Sequence, residues 1–253
     1  MRGAVPITAL LREHQIERMK ASVKNFVKMA RLEPSTLVEL TLPPLPSLLC
    51  AYAGADAGRQ GALWAFDGRL AAVARTTSEP MIGQMRLAWW NEVIDDSAGA
   101  KGRGEPVADA LRATGAVRAA GLEALIDGWE VVTTEPDLGE RQLQDYAAGR
   151  GGGLFRALAD EADPPAWLLA AGRIWALWDL AGHVSDPGVA TAALALARAI
   201  LPDAQEARWS RRWKPLRIAF ALARQDVIAG RGAPRGLPRS YALRILRIAL
   251  VGR

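Results

Sequence analysis

The chain has 253 residues, half of them hydrophobic, and a formal net charge of +5. That composition excludes general disorder, and the length supports one large domain or two small ones with a substantial core. A single cysteine, Cys50, excludes an intrachain disulfide framework and fits a reducing compartment.

The first segment, residues 1–42, reads as a basic amphipathic arm. Between Met1 and Glu33, seven Lys or Arg stand against three Glu, a net of +4. Ile16, Met19, Val23, Phe26, Val27 and Ala30 recur at helical spacing on one side. Such a helix suits an anionic surface, so residues 1–33 are a candidate peripheral contact with the inner membrane. An ordinary surface helix, or an extension upstream of the native start, accounts for the same pattern. Met1–Pro6 carries no apolar signal core, and the expected location is cytoplasmic. Basic faces with interleaved aromatics and zinc ligands are missing, so nucleic acid is not an expected partner.

Leu42-Pro43-Pro44-Leu45-Pro46 is a proline-punctuated linker, and a helical domain is expected over 43–253. Ala, Leu and Arg dominate, while runs of β-branched residues are scarce, which favours helix over strand. Helices are predicted at 47–54, 59–75, 79–97, 105–116, 118–133, 138–161, 165–183, 187–201, 212–230 and 238–251. Breakers separate them, among them Ser78-Glu79-Pro80, Gly99–Gly104, Glu135-Pro136-Asp137, Asp163-Pro164-Pro165 and Asp186-Pro187-Gly188. The longest apolar run, Ala190–Leu201, is broken by Arg198 and stopped by Pro202. It falls short of the roughly 18 residues of a spanning helix and reads as core.

The segment 79–97 carries the most distinctive pattern. On a helical wheel Ile82, Met85, Leu87, Trp89, Trp90, Val93 and Ile94 cover over half the circumference, so the helix is expected to be surrounded by others. Arg86 falls within that apolar arc. A buried guanidinium without an anion is unfavourable by several kcal/mol, so Arg86 requires one. Asp67 lies close to the Leu63, Phe66, Leu70, Val73 stripe of the preceding helix and is the expected partner; a ligand diphosphate is the alternative. Glu92, Asp95 and Asp96 are spaced to share a divalent ion, or to form a solvated or salt-bridged helix end.

Gln84-Met85-Arg86-Leu87-Ala88-Trp89-Trp90, preceded by Ala65-Phe66-Asp67 and Glu79-Pro80, resembles the squalene/phytoene synthase family. The similarity is greatest to its short bacterial branch, related to the mitochondrial complex I assembly factor with a phytoene-synthase-like domain. It continues at Ile126-Asp127-Gly128-Trp129, at Tyr146 with Gly151-Gly152-Gly153, and at Gly172, covering about residues 43 to 183. The resemblance implies an all-α isoprenoid-synthase fold around a central cavity. In active members, aspartate-rich motifs on facing helices hold Mg²⁺, which stabilises the departing diphosphate.

The chain departs from that pattern twice. Where an active synthase carries Asp-Asp-x-x-Asp, this chain has Ala71-Ala72-Val73-Ala74-Arg75, two neutral groups and a base in place of three acids. The second motif becomes Ala176-Leu177-Trp178-Asp179-Leu180, then Gly182-His183. No Mg²⁺-diphosphate site and no cofactor are therefore expected.

The candidate ligand or ion-pair residues are Asp67, Arg86, Trp90, Glu92, Asp95, Asp96, Asp127 and Tyr146, with none assigned to catalysis or to a metal. His183 reads as a helix cap and Cys50 as a small packed hydrophobe. Trp64, Trp129, Trp175 and Trp178 suit an isoprenoid cavity or, preferentially, an ordinary core. The expected function is that of a non-catalytic binding or assembly factor for an isoprenoid, a lipid or a protein partner. A divergent prenyltransferase using Mg²⁺ with Glu92, Asp95, Asp96 and Asp179 is the alternative, and a membrane scaffold working through the basic arm is the third. Carboxylates converging on the cavity from two helices would favour the enzyme. Trp, Leu and Arg75 filling it would favour the binding protein.

Overall fold

The computed structural model describes residues 40–135, 137–205 and 209–251. The arm over 1–33 lies outside them, and the body that begins at Leu40 is a unit of its own. Every regular element among the described residues is helical, and none of these helices is long and apolar enough to cross a membrane.

The chain enters through α1 (Pro44–Cys50), whose Pro44 occupies the first helical turn, where a missing N–H is harmless. The helix therefore starts three residues before the predicted 47. Leu40 and Leu42, expected to belong to the arm and linker, pack on the core. α2 (Ala57–Thr76) and α3 (Pro80–Asp95) follow, then α4 (Pro106–Ala113), which the Glu105 side chain caps by accepting from the Ala108 amide at 2.7 Å. α5 (Leu122–Thr134) leads into α6 (Glu140–Tyr146), a π-helical turn (Ala147–Gly152) and α7 (Gly153–Ala159). α8 (Ala166–His183) and α9 (Pro187–Ile200), capped by Asp186, precede α10 (Lys214–Ile228) and α11 (Arg239–Val251).

One continuous helix was expected over 138–161; a π-turn divides it. The cause is backbone proximity on both sides. The π-turn is wedged between α5 and α8. A Cβ on Gly128 of α5 would lie 2.2 Å from the Arg150 amide nitrogen, and one on Gly151 would lie 2.3 Å from the Gly172 carbonyl oxygen of α8. Glycine at these positions lets three backbones meet. The widened turn, a feature common at functional sites, then aims Arg150 inward.

A second buried charge joins the last two helices. Asp226 of α10 is fully buried and accepts from Arg231 at 2.8 Å, from Arg244 at 3.1 Å and from the Tyr241 hydroxyl. Burial, reinforced by the Asp226 carboxylate, pushes the Tyr241 phenol up to about 12. Asp226→Ala leaves the Tyr241 hydroxyl without its acceptor and removes the carboxylate that pairs with Arg231 and Arg244. We expect it to lower the unfolding free energy by about 1–3 kcal/mol in urea titrations.

Candidate functional site

A cavity of about 360 Å³ opens between α2, α5 and α8. Trp64, Ala71 and Ala74 of α2 face Trp129 and Val132 of α5 and Trp175 and Trp178 of α8. Pro43–Pro46 and Ala233–Leu237 frame the entrance. Trp64 and Trp175 meet edge to face at a ring separation of 5.1 Å. The four tryptophans expected to be ordinary core residues thus also wall a cavity. No alternation in the sequence distinguishes these roles, because a cavity wall and a core face are equally apolar.

On the cavity wall stands Arg150, only 4 % exposed. Its Nε and Nη2 donate to Asp67 Oδ1 and Oδ2 at 3.0 and 2.9 Å, a bidentate pair. Its Nη1 donates to Asp179 Oδ2 and to the Tyr146 hydroxyl, both at 2.6 Å. The guanidinium carbon sits 4.3 Å from the Trp129 ring centroid and 4.7 Å from that of Trp175. Trp129 Nε1 completes the network by donating to Asp67 Oδ1 at 2.8 Å. Burial works against the arginine's charge, but Asp67, Tyr146 and Asp179 outweigh it and hold its pKa well above the ordinary value. Burial likewise pushes the Tyr146 phenol up, so that residue serves as a neutral hydrogen-bonding group.

Two carboxylates from facing helices, Asp67 on α2 and Asp179 on α8, do converge on the cavity. Arg150 engages both. One cation between two anions leaves a net charge of −1, and a divalent ion would have to displace a guanidinium held by four hydrogen bonds. Ala71, Ala74 and Arg75 supply no carboxylate from the α2 side. Among the described residues no three His, Cys, Asp or Glu side chains gather as metal ligands. The residues present do not fit a Mg²⁺-diphosphate centre.

The expected Asp67–Arg86 pair does not form: Asp67 belongs to Arg150, and Arg86 is exposed, donating to Thr77 Oγ1 at 3.2 Å. α3 is also not enclosed. It buries Gly83, Leu87, Trp90 and Val93 and exposes Met81, Ile82 and Met85. A wheel apolar on nearly every side gives no phase, whereas Gly83 does. A Cβ there would lie 2.2 Å from Thr133 Cγ2, so this side must face α5. Trp90 is buried edge to face on Phe66 at 5.1 Å and serves the core.

The remaining candidates are dispersed. Glu92 pairs with Lys101, and Asp96 accepts from the amides of Lys101 at 2.6 Å and Ala98 at 3.0 Å. Those bonds, that from Lys101 foremost, hold its carboxyl below the usual range. Asp95 faces a separate hollow beside residues 117–124. These three acids shape the end of α3. Asp127 is exposed on α5, where desolvation and then Glu130 and Glu123 raise its pKa, and it does not line the cavity. Tyr146 does line it. His183 closes α8 with Nδ1 2.8 Å from the Asp179 carbonyl oxygen and lines the entrance. Cys50 is buried, and desolvation pushes its thiol up to about 12, consistent with packing.

Sequence reasoning missed Arg150. Its signal was present: an arginine one turn after Tyr146, set among Gly149, Gly151, Gly152 and Gly153. Arg235, at the entrance, was also missed. No family model, curated protein or solved structure matches this chain.

Proposed function

We propose that this chain is a non-catalytic binding protein whose cavity receives the hydrocarbon part of an isoprenoid or lipid. By its resemblance it is a squalene/phytoene synthase-like protein without the Mg²⁺-diphosphate motifs. The observation that carries this reading is a tryptophan-walled cavity whose two inward carboxylates are both already engaged by Arg150. A hydrocarbon gains from such walls by losing contact with water. A charged head is turned away from the inner cluster by its residual negative charge and meets Arg75 and Arg235 at the entrance. The hydrocarbon enters first, and the polar end stays outside.

The test is to add farnesol, palmitate or farnesyl diphosphate while following thermal unfolding, with magnesium or with chelator. Ligand at about 100 times Kd is expected to add about 2.7 kcal/mol of stability. Binding is expected to be as tight in chelator as in magnesium, with no pyrophosphate released. Magnesium-dependent squalene or phytoene formation would end this reading. It would favour instead a divergent prenyltransferase, for which the convergence of Asp67 and Asp179 from facing helices is the one supporting feature. A role in assembling a respiratory complex rests on the resemblance alone and needs a protein partner.

A further inference from the structure

We propose that the outer face of α3 is a docking site for an acidic amphipathic helix of another protein. Six large hydrophobic side chains are exposed among the described residues, and three of them share this helix: Met81 at 73 %, Ile82 at 41 % and Met85 at 68 %. Their spacing places them together, next to half-buried Trp89. Scattered exposed hydrophobics are ordinary; a cluster on one helix marks a contact surface.

The cluster borders a groove that runs between α3, Val73 of α2 and the loop at Gly102–Pro106. Arg69, Arg86 and Arg103 stand along it. The one carboxylate in that groove, Glu105, already pairs with Arg69 at 3.0 Å and caps α4. Among the described residues Arg86 reaches only the Thr77 hydroxyl, and Arg103 forms no ion pair. The groove is therefore lined largely by apolar groups, and Arg86 and Arg103 give it a net positive charge.

Charge and shape together select the occupant. A partner must bring apolar groups at helical spacing and carboxylates beside them, which is the pattern of an acidic amphipathic helix. The depression is shallow and open, and a helix laid along it reaches Ile82 and Met85 with its apolar ridge while its flanking carboxylates meet Arg86 and Arg103. Methionines suit such a role because their unbranched side chains repack around different partners. The groove is separate from the cavity: Ala71 and Arg75 of α2 face the cavity, whereas Arg69 and Val73 face the groove. The two sites can be tested apart.

A labelled peptide of about 18 residues, with Leu at positions i, i+3, i+4 and i+7 and Glu on the flanks, serves as the probe for the full chain. Fluorescence anisotropy is expected to show saturable binding that weakens as salt rises. Met85→Glu and the pair Arg86→Glu/Arg103→Glu are each expected to weaken it by roughly tenfold or more. All three positions are exposed, and circular dichroism checks that the variants stay folded. The pair is then expected to bind the same peptide with Lys in place of Glu. Absence of binding, equal binding of a scrambled peptide, or indifference to these substitutions would overturn the proposal. So would Met85-dependent binding to phosphatidylcholine vesicles with about 30 % phosphatidylglycerol without peptide binding, which would assign the face to a membrane.

Discussion

Replacing Arg150 by alanine is expected to lower the unfolding free energy by about 3–5 kcal/mol, the range for removing one partner of a buried ion pair. The loss is large because Asp67 would keep its place inside the protein with only the Trp129 indole N–H as a donor. Asp179, with a side chain 24 % exposed, can recruit water and contributes less. At about 2–4 °C per kcal/mol for a chain of this size, the midpoint of thermal unfolding should fall by roughly 6–20 °C. A double variant separates charge from packing. Arg150→Met with Asp67→Leu removes the cation and its buried anion together and leaves the part-exposed Asp179 to water; replacement of a buried pair by apolar groups is often neutral. Recovery of most of the lost stability in the double variant is the expected result. A double variant as unstable as Arg150→Ala would mean that the shape of the guanidinium between Trp129 and Trp175, and not its charge balance, holds the three helices together.

The helices were legible because proline and glycine punctuate the chain where the backbone turns. Pro80, Pro106 and Pro187 each stand in the first turn of a helix, within two residues of its predicted start. What the sequence does not reveal follows from physics of longer range. Arg150 and Asp67 are 83 positions apart, and no periodicity in either helix announces that they meet. Asp67 has an anion's need for a cation, but Arg86 satisfied that need on paper because it was nearer in the chain. The π-turn leaves no hydrophobic repeat of its own; the 3.6-residue period runs through it without a visible break. The glycines at 128, 149, 151 and 172 are its only trace, and they acquire meaning once paired across helices. The cavity was visible as a set of tryptophans, not as a space.

Gly128→Ala provides the second large effect and tests how Arg150 is held in place. In an ordinary helix this substitution gains about 1 kcal/mol, because alanine favours the helical backbone. At Gly128 the added methyl would lie 2.2 Å from the Arg150 amide nitrogen and 2.8 Å from the Gly149 carbonyl carbon. Both are backbone atoms, so no side chain can swing aside; α5 and the π-turn must separate. Overpacking of this kind loses about 1–3 kcal/mol and occasionally more, and the rigid obstacle puts this case at the upper end. Gly152 supplies the control. It lies in the same π-turn with a Cβ position that meets nothing within 4 Å, so Gly152→Ala should leave stability unchanged or raise it slightly. Urea titrations of the two variants are therefore expected to differ by several kcal/mol. Separation of α5 from the π-turn also withdraws Arg150 from the Trp129 ring. Gly128→Ala should consequently weaken hydrocarbon binding in the cavity while leaving the α3 groove indifferent. If both alanine variants prove equally stable, α5 and the π-turn yield without loss, and the close backbone approach is not what fixes Arg150 between its two carboxylates.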